Sequence, residues 1–173
     1  MSALTGRVRQ TLQFVTSWAR PVPDEQAKKY LTLAEYSLYM KMHRSERQHH
    51  LRVLNDLLQS GYQNPSLLKA ALLHDVGKTR FRFGLLQRVL VVVVKSVFPA
   101  LFELWGQAEP VGWKQPFVVS ARHPEWSAEM CEAIHMEALA VELIRRHQAP
   151  IPDPPWTEAD RLLVLLKAAD DRS

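Results

Sequence analysis

The sequence predicts an all-α fold, and three observations favour it. Apolar residues recur three and four positions apart along most of the chain, alternating strand patterns are rare, and helix-ending residues separate the periodic segments. A length of 173 residues is ample for one compact domain. The apolar share of 47% and the charged share of 23% are typical of globular proteins and exclude a disordered or fibrous chain.

Net charge and cysteine content limit the kinds of partner and the cellular compartment that we expect for this protein. The net charge of +4, from 22 basic and 18 acidic residues, attracts anions only weakly, and no basic motif carries interleaved aromatic residues. We therefore expect no nucleic-acid partner. The single cysteine, Cys131, cannot form an internal disulfide. This favours a reducing compartment and predicts a cytoplasmic protein.

The N-terminal segment predicts an amphipathic helix that packs on the core. Apolar residues recur there at helical spacing between polar ones, whereas a secretory signal needs an unbroken apolar block. These residues are Val8, Leu12, Val15 and Trp18. A break follows at 21–23, where two prolines flank Val22, and either Asp24 or Thr32 is expected to cap what comes next.

Two further helices are predicted in the middle of the chain. The first starts near Ser45, turns His49 and several leucines inward, and stops at Gly61, which suits a left-handed C-terminal cap. The second has Asn64 as its N-cap and Pro65 at its first position, and it runs to the pair His74-Asp75.

The apolar stretch 85–105 has two interpretations. Its valine run has strand propensity, but its length and its helical surroundings favour a helix. Arg88, Lys95 and Pro99 interrupt it, which argues against a membrane span. It is either a core helix or an apolar surface that contacts a bilayer or a partner chain.

Three more signals organise the C-terminal part of the chain. Pro124 is expected to open a helix directly after His123. A further helix ends around His147 and is followed by a proline-rich loop. Thr157 then caps the final helix, which ends at 170–171.

The pair His74-Asp75 is the most informative chemical feature. The pair lies where a predicted apolar helix ends, just before Gly77 and Lys78. Adjacent helical residues point about 100° apart, so the pair can share an ion only if other segments supply ligands. The candidates are His49, His123, His147 and Asp170. Imidazole and carboxylate ligands without thiolate predict one or two divalent ions, namely manganese, iron, zinc, nickel or magnesium.

Over residues 45–173 the chain resembles the HD-domain superfamily of metal-dependent phosphohydrolases, with 1–44 as an N-terminal helical extension. The matching residues are His49 before Leu51-Arg52-Val53, His74-Asp75 with Gly77 and Lys78, His123 before Pro124-Glu125, His147 after Arg145-Arg146, and Asp170 after Ala168-Ala169. The resemblance implies that His49, His74, Asp75 and Asp170 hold a first metal. It also implies that His123 and His147 join a bridging Asp75 on a second, as in the two-metal branch with HDIG-type and cyclic-dinucleotide phosphodiesterase relatives.

The chain departs from that resemblance in places. Trp126-Ser127 stands where relatives often have a small residue and a glycine, and no glycine-tyrosine-proline signature is present. Specificity for cyclic dinucleotides is therefore not expected. His50 is an alternative to His49, and Asp171 to Asp170; the patterns His-x-Leu-Arg-Val and Ala-Asp favour His49 and Asp170.

The predicted activity is hydrolysis of a phosphate monoester or diester in a nucleotide or another small phosphorylated metabolite. Asp75 would bridge the metals, while Lys78 and Arg52 would bind phosphoryl oxygens. Two alternatives remain. One is a regulatory module that binds metal or nucleotide without turnover, and the other is an interaction protein that docks through 85–105.

Overall fold

The computed structural model describes residues 21–81 and 84–173, with the backbone alone for Leu85. All regular structure in these ranges is helical, which confirms the predicted fold class. The predicted helix through Val8, Leu12, Val15 and Trp18 lies outside the described residues.

Nine α-helices follow one another in the described part of the chain. The first four are α1 (Glu25–Lys28), α2 (Leu33–Tyr39), α3 (Arg44–Gln59) and α4 (Pro65–Leu73), and a 3-10 turn at Val76–Arg80 follows them. The others are α5 (Leu85–Val97), α6 (Pro99–Gly106), α7 (Gln115–Glu132), α8 (Ala138–Arg146) and α9 (Glu158–Arg172), with a second 3-10 turn at Gly112–Lys114 before α7.

Helix ends follow the capping residues that the sequence predicts. Thr32 and Thr157 each form a capping box at the start of α2 and α9. The Asn64 side chain accepts the backbone N–H of Leu67, and Gly61 adopts a φ of +85° just after α3. The alternative cap, Asp24, makes no capping hydrogen bond and instead accepts one from Arg47 Nε at 3.0 Å.

The prediction that Pro124 opens a helix is wrong. Pro124 lies inside α7, which begins at Gln115 with Pro116 in its first turn. A proline in a helix interior removes one backbone hydrogen bond, and the carbonyl that loses its donor is four residues back, at Ser120. Here His123 Nδ1 lies 3.0 Å from the Ser120 carbonyl and supplies a replacement donor.

The stretch 85–105 is helical, as predicted, but it forms two helices rather than one. The chain turns at Phe98, and Pro99 takes the first position of α6. Within the described residues, no helix is both long enough and apolar enough to cross a membrane.

One large hydrophobic core joins α1–α4 to α7–α9. Fully buried side chains such as Leu54, Leu72 and Leu163 lie in it. A separate small cluster holds α5 and α6 against α7, and its buried members are Val91, Val94, Phe102 and Phe117. The helices of the large core therefore fix the site described next, while α5 and α6 are attached to α7 outside it.

Candidate metal centre

The centre is built around His74 and Asp75, where α4 ends and the 3-10 turn begins. His74 is the C-terminal cap of α4, and Asp75 is the residue before the turn. Both side chains are buried. Because the chain changes from α to 3-10 geometry between them, both point into one interior space, and other helices supply the remaining groups.

On one side of this pair, α3 and α9 bring His49 and Asp170 together. His49 Nε2 lies 2.7 Å from Asp170 Oδ1, and His74 Nε2 lies 3.7 Å from the same oxygen. The neighbouring acid, Asp171, is exposed. The structure thus brings Asp170, and not Asp171, to the histidines.

On the other side, α7 and α8 bring His123 and His147 to Asp75. Asp75 Oδ1 lies 3.0 Å from His123 Nε2 and 3.7 Å from His147 Nε2. The two imidazole nitrogens are 3.2 Å apart. The other carboxylate oxygen, Oδ2, faces His74 Nε2 at 3.8 Å. Asp75 therefore presents one oxygen to each group of ligands.

Backbone carbonyls orient three of the imidazoles. The Nδ1 atoms of His74, His123 and His147 contact the carbonyls of Ala70, Val119 and Ile144 at 3.3, 3.1 and 2.7 Å. A carbonyl only accepts, so Nδ1 carries the proton in each neutral ring and Nε2 carries the lone pair. Three lone pairs consequently converge on the carboxylate, which is how imidazoles are arranged around a cation.

His50 is a site residue that the sequence left as an alternative. The structure brings it to the centre together with His49. Its side chain is fully buried, its ring centroid lies 4.5 Å from that of His74, and its Nε2 lies 3.7 Å from Asp75 Oδ2. Neither ring nitrogen has a hydrogen-bond partner among the residues that the structure describes. A buried imidazole with two unsatisfied nitrogens is costly unless something binds them.

Burial keeps the rings of His50, His123 and His147 neutral. Burial lowers the pKa of His50 to about 4. Burial also lowers the pKa values of His123 and His147, and the charge of Lys78 lowers that of His123 further. A neutral imidazole is the form that binds metal.

The carboxyl group of Asp75 is ionised despite its burial. Burial alone raises its pKa, but the neighbouring Lys78 ammonium outweighs this effect, and the pKa lies well below the usual range. The buried centre therefore contains an ionised carboxylate, paired with Lys78, among neutral imidazole nitrogens, and carboxylate oxygens and imidazole nitrogens are ligands for divalent cations.

The distances fit a metal centre. An ion with ligand bonds of about 2.0–2.2 Å places neighbouring ligand atoms roughly 3–3.6 Å apart. Two groups of three residues have ligand atoms within 4.8 Å of one another, namely His49, His50 and His74, and Asp75, His123 and His147. The orphaned nitrogens of His50 and His74 Nε2 lie in the first group. The described residues thus offer two adjacent positions for a divalent ion.

The two predicted phosphate-binding residues, Lys78 and Arg52, make different contacts. Lys78 Nζ forms an ion pair with Asp75 Oδ2 at 2.5 Å and is partly exposed. Arg52 Nε donates to the Ser173 carbonyl at 3.3 Å, next to the end of α9. Their predicted contact with a phosphoryl group stays a prediction.

Gly77 sets the distance between the 3-10 turn and α7. Its N–H donates to Ser127 Oγ at 2.8 Å, and a Cβ built on it would lie 2.5 Å from the His123 carbonyl oxygen. Only glycine allows this approach. Ser127, one of the departures from the family resemblance, therefore binds the turn that carries Asp75 and Lys78.

Comparison with protein families matches residues 47–173 to the HD domain, so the chain belongs to the HD domain family. Members of this family are mostly metal-dependent hydrolases, and the histidine and aspartate cluster is compatible with metal binding. Comparisons with curated proteins and with solved structures gave no match.

Proposed function

We propose that this protein is a phosphohydrolase that uses two divalent ions and acts on a nucleotide or another small phosphorylated metabolite. The observation that carries the proposal is the position of Asp75, whose two oxygens face two separate histidine groups. We place the activity in the cytoplasm, because the single Cys131 is typical of a reducing compartment.

The proposed ligands divide into two sets that share Asp75. His49, His74 and Asp170 hold the first ion with it, and His123 and His147 hold the second. The ions would supply positive charge for the phosphoryl oxygens and lower the pKa of an attacking water. The identity of the metal is left to experiment, since nitrogen and oxygen ligands accept several first-row ions.

The chain's own cations complete the proposed site. Lys78 lies on the rigid 3-10 turn with its ammonium already at the carboxylate of Asp75, so a phosphoryl oxygen reaching the centre would meet it there. Arg52 lies three residues after His49 on α3, within one helical turn of it. These two residues bind and orient the substrate; neither transfers a proton in this scheme.

Metal content tests the ligand sets directly. We expect elemental analysis of the purified protein to find up to two equivalents of a transition metal, fewer in His74→Ala, and fewer in His123→Ala. His135→Asn is the matched control, because His135 is exposed, belongs to neither group of candidate ligands, and has a positive φ that asparagine tolerates. Metal-free parent protein that binds no added manganese would overturn the proposal.

Turnover is tested with a panel of nucleotides and with p-nitrophenyl and bis(p-nitrophenyl) phosphate in the presence of manganese. We expect hydrolysis of at least one ester by the parent and by His135→Asn, and none by His123→Ala. Protein that holds metal but hydrolyses nothing in the panel would support the regulatory module instead.

A further inference from the structure

The outward face of α5 is apolar, which is unusual for a helix at the surface of a globular protein. Its large apolar side chains at positions i, i+3, i+4, i+7 and i+11 are exposed, and they are Leu86, Val89, Leu90, Val93 and Val97. At 100° per residue they fall within one narrow arc of the helix. A different face, with Val91 and Val94, is buried against the small core of α6 and α7.

This apolar face continues along the chain and is large. Phe98 at the corner and Leu101 and Leu104 on α6 are also exposed. The five residues of α5 alone expose on the order of 500 Å², within the roughly 300–600 Å² of the largest apolar patch on a typical monomer. The largest apolar patch on a monomer is often functional.

Charge favours an anionic occupant. Segment 80–122, which contains α5 and α6, has six basic and two acidic residues, a formal charge of +4. Two of its basic residues, Arg80 and Arg88, pair with Glu129 and Glu46 outside the segment, and its other charged residues still sum to +2. The rest of the chain has 16 basic and 16 acidic residues, which cancel. Two copies of this segment would repel each other, whereas an anionic surface would attract both.

Aromatic side chains point to a lipid interface. Trp113, before α7, is 61% exposed and packs edge-on against Trp105 at a centroid distance of 4.9 Å. Lys114 Nζ lies 5.5 Å from the Trp113 ring centre. Exposed tryptophan beside lysine is typical of membrane–water boundaries. Helix α5 has 13 residues, too few to span a bilayer but suited to lying in its surface.

We propose that the apolar face of α5 and α6 binds the surface of an anionic lipid bilayer, with α5 lying in the plane of the interface. The buried valines keep the helix attached to α7, so binding needs no unfolding of the core. The proposal is independent of the proposed hydrolase activity, because none of its residues belongs to the metal centre.

Flotation with lipid vesicles tests this surface. We expect the parent to float with phosphatidylcholine–phosphatidylserine vesicles at about three to one and to remain unbound with pure phosphatidylcholine. Val93→Asp should lower the partition coefficient at least about tenfold. Val164→Asp is the matched control, since Val164 on α9 is 43% exposed and Val93 is 48% exposed; it should float like the parent. Leu86→Glu, at an 84% exposed position, replaces Val93→Asp if circular dichroism shows that the latter is unfolded.

Three results would overturn the proposal. Folded parent that stays at the bottom of the gradient with the anionic vesicles has no lipid-binding surface. Equal loss of flotation in Val164→Asp means that α5 is not the surface responsible. A parent that is dimeric by light scattering and becomes monomeric in Val93→Asp uses this face to bind a second copy.

Discussion

Replacing Gly77 with alanine tests how the two ligand groups are held in position. Gly77 lies between Asp75 and the rest of the 3-10 turn, against the backbone of α7 that carries His123. An added Cβ would lie 2.5 Å from the His123 carbonyl oxygen and 2.6 Å from the Ser127 nitrogen. Both are helix backbone atoms and cannot rotate away, so the turn and α7 must separate.

The expected cost follows from these distances. Ordinary contact at about 3.4 Å requires the turn to move by roughly 1 Å, and such overpacking costs about 1–3 kcal/mol. The movement also stretches the hydrogen bond that the Gly77 N–H donates to Ser127 Oγ, which costs about 1 kcal/mol of stability. Alanine also restricts the unfolded chain, which raises the free energy of unfolding by about 0.4–1 kcal/mol. The net loss is about 1–4 kcal/mol, which lowers Tm by roughly 2–14 °C in a chain of this size.

Thermal unfolding of Gly77→Ala beside Gly84→Ala measures this effect. A Cβ at Gly84 meets only the flexible end of Gln87 at 3.6 Å, so Gly84→Ala should melt within about 1–2 °C of the parent. Metal titration should also show weaker binding in Gly77→Ala, because Asp75 and His123 move apart. Equal melting temperatures for the two variants would refute the reasoning.

Three other outcomes are expected. His50→Leu should raise the Tm of metal-free protein by removing two unsatisfied buried nitrogens, which calorimetry measures. It should also lower the metal content found by elemental analysis, because His50 belongs to one group of candidate ligands with His49 and His74. Asp160→Asn should lower Tm at pH 7, because Arg146 and the Thr157 backbone hold the pKa of Asp160 at about 2 in the folded protein. The difference in Tm between parent and variant should shrink as the pH falls from 5 towards 2, where Asp160 of the folded parent also becomes protonated. Measuring Tm against pH checks this. Burial raises the pKa of Cys131 to about 12, so at pH 8 the native thiol should resist Ellman's reagent and react only after unfolding in guanidinium.

The helix boundaries that the sequence predicted correctly all depend on local chemistry. Asn64 caps α4, Gly61 ends α3 and Thr157 caps α9, and each acts on backbone groups within about four residues of itself. Pro124 follows the same local rule and the prediction from it was wrong. Its helix continues because Ser120 finds a donor in the His123 ring, and this hydrogen bond is not visible in a proline pattern.

The residues of the candidate metal centre could be predicted from the sequence, but the contacts between them could not. Histidines and aspartates in predicted helices are candidate ligands, and their residue type is visible in the sequence whatever their position in the fold. That Asp75 turns one oxygen to His123 and the other towards His74 depends on how α7 and α8 pack on α4. The ion pair between Lys78 and Asp75 also requires the 3-10 geometry of the turn, which the sequence pattern did not reveal.

The two adjacent histidines on α3 show why a choice between them could not be made from spacing. Neighbouring helical residues point about 100° apart, so a helix with one buried face would turn only one of them inward. Helix α3 instead packs against α4 and α9 at once. His49 therefore reaches Asp170 on α9, while His50 reaches Asp75 at the end of α4. Because α3 is enclosed on two sides, both histidines are interior. The sequence offered His49 and His50 as alternatives, and the structure brings both to the same site.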